Sequence, residues 1–139
     1  MRRRAALCLG LMALLGLLAG CASKTYPLAE NFDREAVLRA GKQVVALLQA
    51  EEFGALRELV REDQLGAFTV EALRSAKAER LGDAGAFLGL VGEEAVGERS
   101  QSTGADLAAA VIQAQYEHKL VVFTCSFDGE MRLIGLKIK

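Results

Sequence analysis

Leu120-Val121-Val122-Phe123-Thr124-Cys125-Ser126-Phe127-Asp128-Gly129-Glu130 is the stretch on which the fold of this chain turns. Val121, Phe123, Cys125 and Phe127 alternate with Val122, Thr124 and Ser126, the period of two expected of a strand with one side on a core. Upstream, Ile112, Ala114 and Tyr116 alternate in the same way with Val111, Gln113 and Gln115. Downstream, Asp128-Gly129 has the composition of a tight hairpin turn, and Arg132 to Ile138 returns with Ile134, Leu136 and Ile138 on one face. The spacing predicts three successive antiparallel strands.

Before Asp106 the period is helical. Asn31 and Asp33 both offer N-cap chemistry ahead of Val37, Leu38, Gly41, Val44, Val45 and Leu48, which recur at spacings of three and four. A helix-interior glycine costs about 1 kcal/mol against alanine. Gly41 on the apolar stripe therefore points either to another element packed against the backbone or to a tolerated surface glycine. Phe53, Leu56, Leu59 and Val60 predict a second, shorter helix, with Arg57, Glu58, Arg61 and Glu62 on its other side. Thr69 is placed to cap a third, which runs to about Leu81 and is stopped by Gly82. The glycine-rich segment from Asp83 to Gly104 is expected to hold one strand near Phe87 to Val91. Helices first and a meander afterwards predict an α+β domain, its N-terminal helices packed on one face of a curved antiparallel sheet.

The composition sets bounds on this picture. In 139 residues, 52% are hydrophobic, 25% charged and 6% aromatic, with one proline and no tryptophan, which suits one domain. Seventeen basic residues against 18 acidic ones give a net charge of −1, with no basic excess for nucleic acid.

The charges are unevenly placed. Arg2-Arg3-Arg4 precedes fifteen residues, Ala5 to Ala19, rich in leucine, alanine and glycine, and no acid occurs before Glu30. A charged start and a short apolar run predict a secretory signal over residues 1–20. A spanning helix needs about 20 apolar residues, and Gly10, Gly16 and Gly20 interrupt a shorter run. Leu18-Ala19-Gly20-Cys21 resembles a bacterial lipobox. That likeness implies a diacylglyceryl group on the Cys21 thiol and cleavage after Gly20, so that Cys21 begins the mature protein. Because each buried CH₂ contributes about 0.8 kcal/mol and one acyl chain holds only marginally, two palmitate-class chains would keep the protein on its membrane. Ala22 is not an aspartate retention signal, so outer-membrane sorting is allowed where an outer membrane exists.

Removing residues 1–20 takes away three arginines and leaves 14 basic against 18 acidic residues, a net charge of −4. Cys8 leaves with the signal and Cys21 is modified, so Cys125 is the one free thiol expected and no intrachain disulfide forms. Residues 21–31, with the lone Pro27, read as the lipidated cysteine and its tether. Residues 32–139 read as the folded domain.

The run Ala46-Leu47-Leu48-Gln49-Ala50-Glu51-Glu52-Phe53, the later Leu81-Gly82-Asp83-Ala84-Gly85-Ala86-Phe87, and the terminal hairpin around Phe127-Asp128-Gly129-Glu130 together resemble small extracytoplasmic proteins of the domain of unknown function 3887 family. The resemblance covers about residues 32–139. It implies a cystatin-like cone of the nuclear transport factor 2 superfamily, in which helices cross a curved sheet, often with a cavity between. It carries over no catalytic residue.

The residues that could do chemistry are few. His118, the single histidine, falls in Glu117-His118-Lys119, where a turn would leave it solvated and without an orienting partner. One histidine and one thiol do not make a structural zinc site. Cys125 should face the core, where burial suppresses the thiolate. Tyr116, Phe123, Cys125 and Phe127 share one strand face and are the residues that would line a cavity, although such side chains more often form plain core. No phosphate-binding loop follows Gly82-Asp83-Ala84-Gly85, and no nucleophile elbow is present. Cystatin inhibitors carry a glutamine-valine-glycine loop, but Gln43-Val44-Val45 lies inside a helix, so shape alone implies no protease inhibition.

The expectation is a lipid-anchored, extracytoplasmic, non-catalytic domain without cofactor, binding a partner protein or a small apolar ligand at the cell envelope. Val111, Leu120 and Val122 would leave apolar area on the sheet face opposite the helices, enough to allow a homodimer. A small hydrolase or isomerase using a polar pocket inside the cone is the alternative. A third reading is an accessory that positions or inhibits an extracytoplasmic enzyme.

Overall fold

Two of the side chains that read as caps act as caps. In the structure, a computed structural model that describes residues 25–139, Asp33 accepts from the Ala36 N–H at 2.8 Å and starts α1 (Arg34–Gln49). Thr69 does the same for α3 (Val70–Leu81) through the Ala72 N–H at 3.1 Å. Between them lie α2 (Phe53–Glu58) and a 3-10 helix (Glu62–Ala67). The second helix is shorter than the apolar spacing predicts, because Val60 leaves it to form a parallel bridge with Leu133. The Arg61 N–H donates to the Leu133 carbonyl at 2.9 Å, and the Arg132 guanidinium closes the junction on the Glu58 and Val60 carbonyls.

The sheet follows as β1 (Phe87–Arg99), β2 (Asp106–Tyr116), β3 (Leu120–Phe127) and β4 (Leu133–Ile138). All neighbours are antiparallel, in the order β1-β2-β3-β4. Helices followed by a four-stranded antiparallel meander make this an α+β fold, as the change of period predicts.

The buried residues of α1 are Val37, Leu38, Gly41, Val44, Val45 and Leu48, the six of the predicted stripe. They rest on Ala108, Ala110, Ile112 and Ala114 of β2 and on Phe123 and Cys125 of β3, all fully buried. Gly41 settles the alternative left open by its composition. A Cβ there would run into the Ala110 Cβ, so the helix backbone sits directly on the sheet. The core runs from Phe32 to Ile138, which gives residues 25–139 a core of their own.

Three expectations need correction. The segment expected to hold one short strand forms β1, the longest of the four, with bulges where Leu88 and Val91 fall out of register with β2. The strand expected near Phe87 to Val91 is its start, where each bulge inserts one unpaired residue; beyond it Gly92, Gly97 and three glutamates interrupt the apolar alternation that would mark the continuation to Arg99. Asp128-Gly129 is not a two-residue turn. The connection spans residues 128–132, its left-handed residue is Met131 (φ 60°), and the Asp128 carboxylate accepts from the Glu130 and Arg132 N–H groups. Gly82 does cap α3 after Leu81, as expected, though in a right-handed conformation (φ −59°); the left-handed glycine is Gly85 (φ 79°). The described part of the tether is docked from Tyr26, which exchanges two backbone hydrogen bonds with Gly97 on β1 at 2.7 and 2.8 Å. The Arg99 guanidinium covers the Tyr26 ring at 4.8 Å.

Candidate functional site

The helical and sheet layers part where α1 ends, α3 ends, β1 begins and β2 ends. Glu51, left-handed at φ 56°, turns the chain out of α1, and α3 returns beside it. Between them opens a groove of about 440 Å³, walled by Phe87, Tyr116 and Leu81 and rimmed by Gln49, Glu51, Arg74 and Lys77.

Its floor is pinned by the β2–β3 turn. His118 N–H donates to the Ala84 carbonyl, and the Ala86 N–H donates to the Glu117 carboxylate, both at 2.9 Å. A Lys119–Asp83 ion pair at 2.7 Å ties the same turn to the end of α3, and the Lys119 hydrogen bond holds the Asp83 carboxyl below the usual range. Gly85 has the conformation and the space this approach needs, since a Cβ there would meet Glu117 and His118.

The aromatic wall is an edge-to-face pair: Phe87 and Tyr116 have ring centroids 5.6 Å apart and planes at 64°. Tyr116 is 4% exposed, whereas Phe87 is 44% exposed. Gln49 Nε2 donates to the Tyr116 hydroxyl oxygen at 2.8 Å. Burial pushes the Tyr116 phenol up, with the Gln49 hydrogen bond opposing, so it stays a neutral donor at ordinary pH. Lys77 Nζ donates to the Gln49 carbonyl at 3.1 Å and stands 3.7 Å from Glu51. Arg74 stacks its guanidinium over the Phe53 ring at 5.6 Å.

Of the four residues expected around a cavity, Tyr116 alone lines this one. Phe123, Cys125 and Phe127 are at most 2% exposed and form the packed centre beneath α1. The helices cover β3 with no gap there, and small residues opposite small residues leave nothing to line. The Cys125 thiol sits 3.9 Å from the Gly41 carbonyl, and burial pushes it up to about 12. His118 is exposed in its turn, as predicted. The lipidation residue Cys21 and the lipobox residues Leu18, Ala19 and Gly20 lie outside the described residues.

Sequence reasoning missed Gln49, Arg74, Lys77 and Phe87. Arg74 and Lys77 stand three apart on one face of α3, which reads as solvated charge until the fold brings it to the groove that Phe87 also lines. The outer sheet face is less apolar than expected, with Leu120 at 47% exposure but Val111 and Val122 half-buried. More apolar surface lies at the start of β1, where Leu88, Leu90 and Val91 are 65%, 43% and 59% exposed.

A second groove, of about 480 Å³, lies between α3 and β4 and is walled by Phe68, Leu73, Ala76, Ile134 and Leu136. Among the described residues no three metal-ligating side chains converge, and no helix is long and apolar enough to cross a membrane. In the first groove no nucleophile is paired with a base. Its apolar walls and polar rim suit it to hold a molecule with one apolar and one polar end.

The profile of proteins of unknown function DUF3887 matches residues 41–136. The chain belongs to the DUF3887 family. Among solved structures, the fold is similar to that of a protein from Ruminococcus gnavus ATCC 29149 determined by NMR, with a TM-score of 0.70 and 19% identity. The match covers 81% of this chain and 96% of that one. No curated protein matches the sequence.

Proposed function

We propose that this DUF3887 protein is a non-catalytic binding module, anchored by lipid at Cys21 on the extracytoplasmic side of the cell membrane, whose groove takes a small molecule with an apolar body. The observation that carries the binding is the half-exposed Phe87 ring set edge-on to buried Tyr116 at the mouth of a 440 Å³ groove. An exposed aromatic held by a second aromatic is a preformed apolar wall, and burying it against a ligand contributes about 25 cal/mol per Å². Arg2-Arg3-Arg4 and Leu18-Ala19-Gly20-Cys21 support the anchor. The cystatin-like cone implied by the family resemblance supports, by analogy, a pocket between helices and sheet.

The binding arm is tested on residues 25–139 by titrating decanol and following amide NMR resonances. Movement at Gly85, Phe87 and Tyr116 is the expected result, and spectra that stay unchanged to saturation would overturn it. For the anchor, the full chain is expressed in a bacterium and its membrane fraction weighed intact. A product that begins at Cys21 with a diacylglyceryl mass, and is lost in Cys21→Ala, is expected. An unacylated protein free in the medium would overturn that half.

A further inference from the structure

We propose that the ligand of the groove is an amphipathic carboxylate, its chain laid on Phe87, Leu81 and Tyr116 and its head group held by Arg74 and the Tyr116 hydroxyl. This rests on the groove being a ligand site and names the chemistry it selects.

Two independent observations carry this: one points to an acceptor and the other to its negative charge. The first is Tyr116, whose part-buried hydroxyl oxygen accepts from Gln49 but whose own O–H has no acceptor among the described residues. Tyr116 lines the groove, so its O–H is a donor that a ligand's acceptor can take up there. The second is the charge of the rim. Lys77 is matched by Glu51 at 3.7 Å and by the Gln49 carbonyl, whereas Arg74 has no carboxylate partner among the described residues. One unit of positive charge is thus left over at the mouth of an apolar groove, and a single carboxylate neutralises it.

Arg74 suits this role for a further reason. Its stacking on Phe53 orders the side chain before any ligand arrives, so little rotamer freedom remains to be lost on binding. A guanidinium also presents several N–H donors to a carboxylate in one plane. An alcohol of equal chain length would satisfy Tyr116 but leave Arg74 unmatched, and an ammonium would be repelled by it.

Decanoate, decanol and decylammonium, which share one chain and differ in head group, separate the possibilities in NMR titrations of residues 25–139. Decanoate should bind about tenfold or more tightly than either of the others, the size expected of one added charged hydrogen bond. Arg74→Gln should abolish that preference by weakening decanoate about tenfold or more relative to decanol. Tyr116→Phe, with its fold checked by the dispersion of the same spectra, should weaken decanoate and decanol alike. Equal binding of the three probes, or a preference for decylammonium, would overturn the carboxylate and leave the groove standing. Failure of all three to bind would overturn the groove reading as well.

Discussion

At its two ends, the inner face of the sheet meets the helices in opposite ways. Beneath the middle of α1, a glycine faces an alanine and the layers touch: Gly41 sits against Ala110 and Ile112, with Phe123 and Cys125 fully buried in the same core. Toward the end of α1 the facing pair is Gln49 and Tyr116, which meet through a 2.8 Å hydrogen bond instead of packing, and Phe87 beside them stays 44% exposed. The same helix and the same strand thus make a dry contact at one place and a groove at another. The difference lies in side-chain size and polarity at two facing positions, since the hydrophobic effect favours closure wherever apolar groups can meet. An apolar wall remains open here because Gln49, Lys77 and Glu51 form a polar rim that cannot be buried cheaply.

The largest test of this contrast is a pair of matched truncations. Phe123→Ala should cost about 3–5 kcal/mol, because it removes a fully buried ring and leaves a cavity. Phe87→Ala removes the same atoms from the groove and should cost about 1 kcal/mol or less. Urea unfolding of residues 25–139 measures both. Equal losses would mean that Phe87 is core and that the groove is closed in solution.

A smaller pair sharpens the dry end. Gly41→Ala places a methyl group against the Ala110 Cβ and should destabilise by about 1–3 kcal/mol, even though alanine is the better helix former. Gly54, in α2, has open space around its Cβ position. Gly54→Ala should therefore stabilise by up to about 1 kcal/mol. If thermal or urea unfolding shows Gly41→Ala also stabilising, the direct contact of helix and sheet is wrong.

The dry end was legible in the sequence and the open end largely was not, for a physical reason. Burial on one side imposes a period, so Val37 to Leu48 and Val121 to Phe127 announce their elements and their inward faces. Gly41 could be singled out because a glycine on an apolar stripe is an anomaly that backbone contact explains. β1 was legible only at its start, Phe87 to Val91; its continuation to Arg99 escaped because Gly92, Gly97 and three glutamates break up any apolar alternation there. The turn at Asp128 was misread for a related reason. Asp-Gly composition fits a two-residue turn, but the Asp128 carboxylate binds two N–H groups further on and lengthens it. The groove is legible only at Tyr116. Gln49, Arg74 and Lys77 are polar residues on helix surfaces, and their convergence on Phe87 is a tertiary fact without a local signature.

Cys125 offers the finest probe of how dry the closed end is. Its thiol is pushed up to about 12 by burial, from an ordinary value of 9.0. The folded state thus favours the protonated thiol more than the unfolded state does. The stability this adds is fully present below about pH 9, and it drains away as the pH rises from there toward 12, because the unfolded chain loses its proton first. One proton corresponds to a slope of about 1.4 kcal/mol per pH unit in that window. Lysines and tyrosines titrate there as well, so the quantity to measure is the difference in slope between the natural protein and Cys125→Ala in urea unfolding at several alkaline pH values. A difference near one proton is expected, together with a thiol that reacts with a disulfide reagent only after unfolding. A slope unchanged by Cys125→Ala, or a thiol titrating near 9 in the native state, would mean that water reaches β3 beneath α1 and that the two ends of the sheet are not so different.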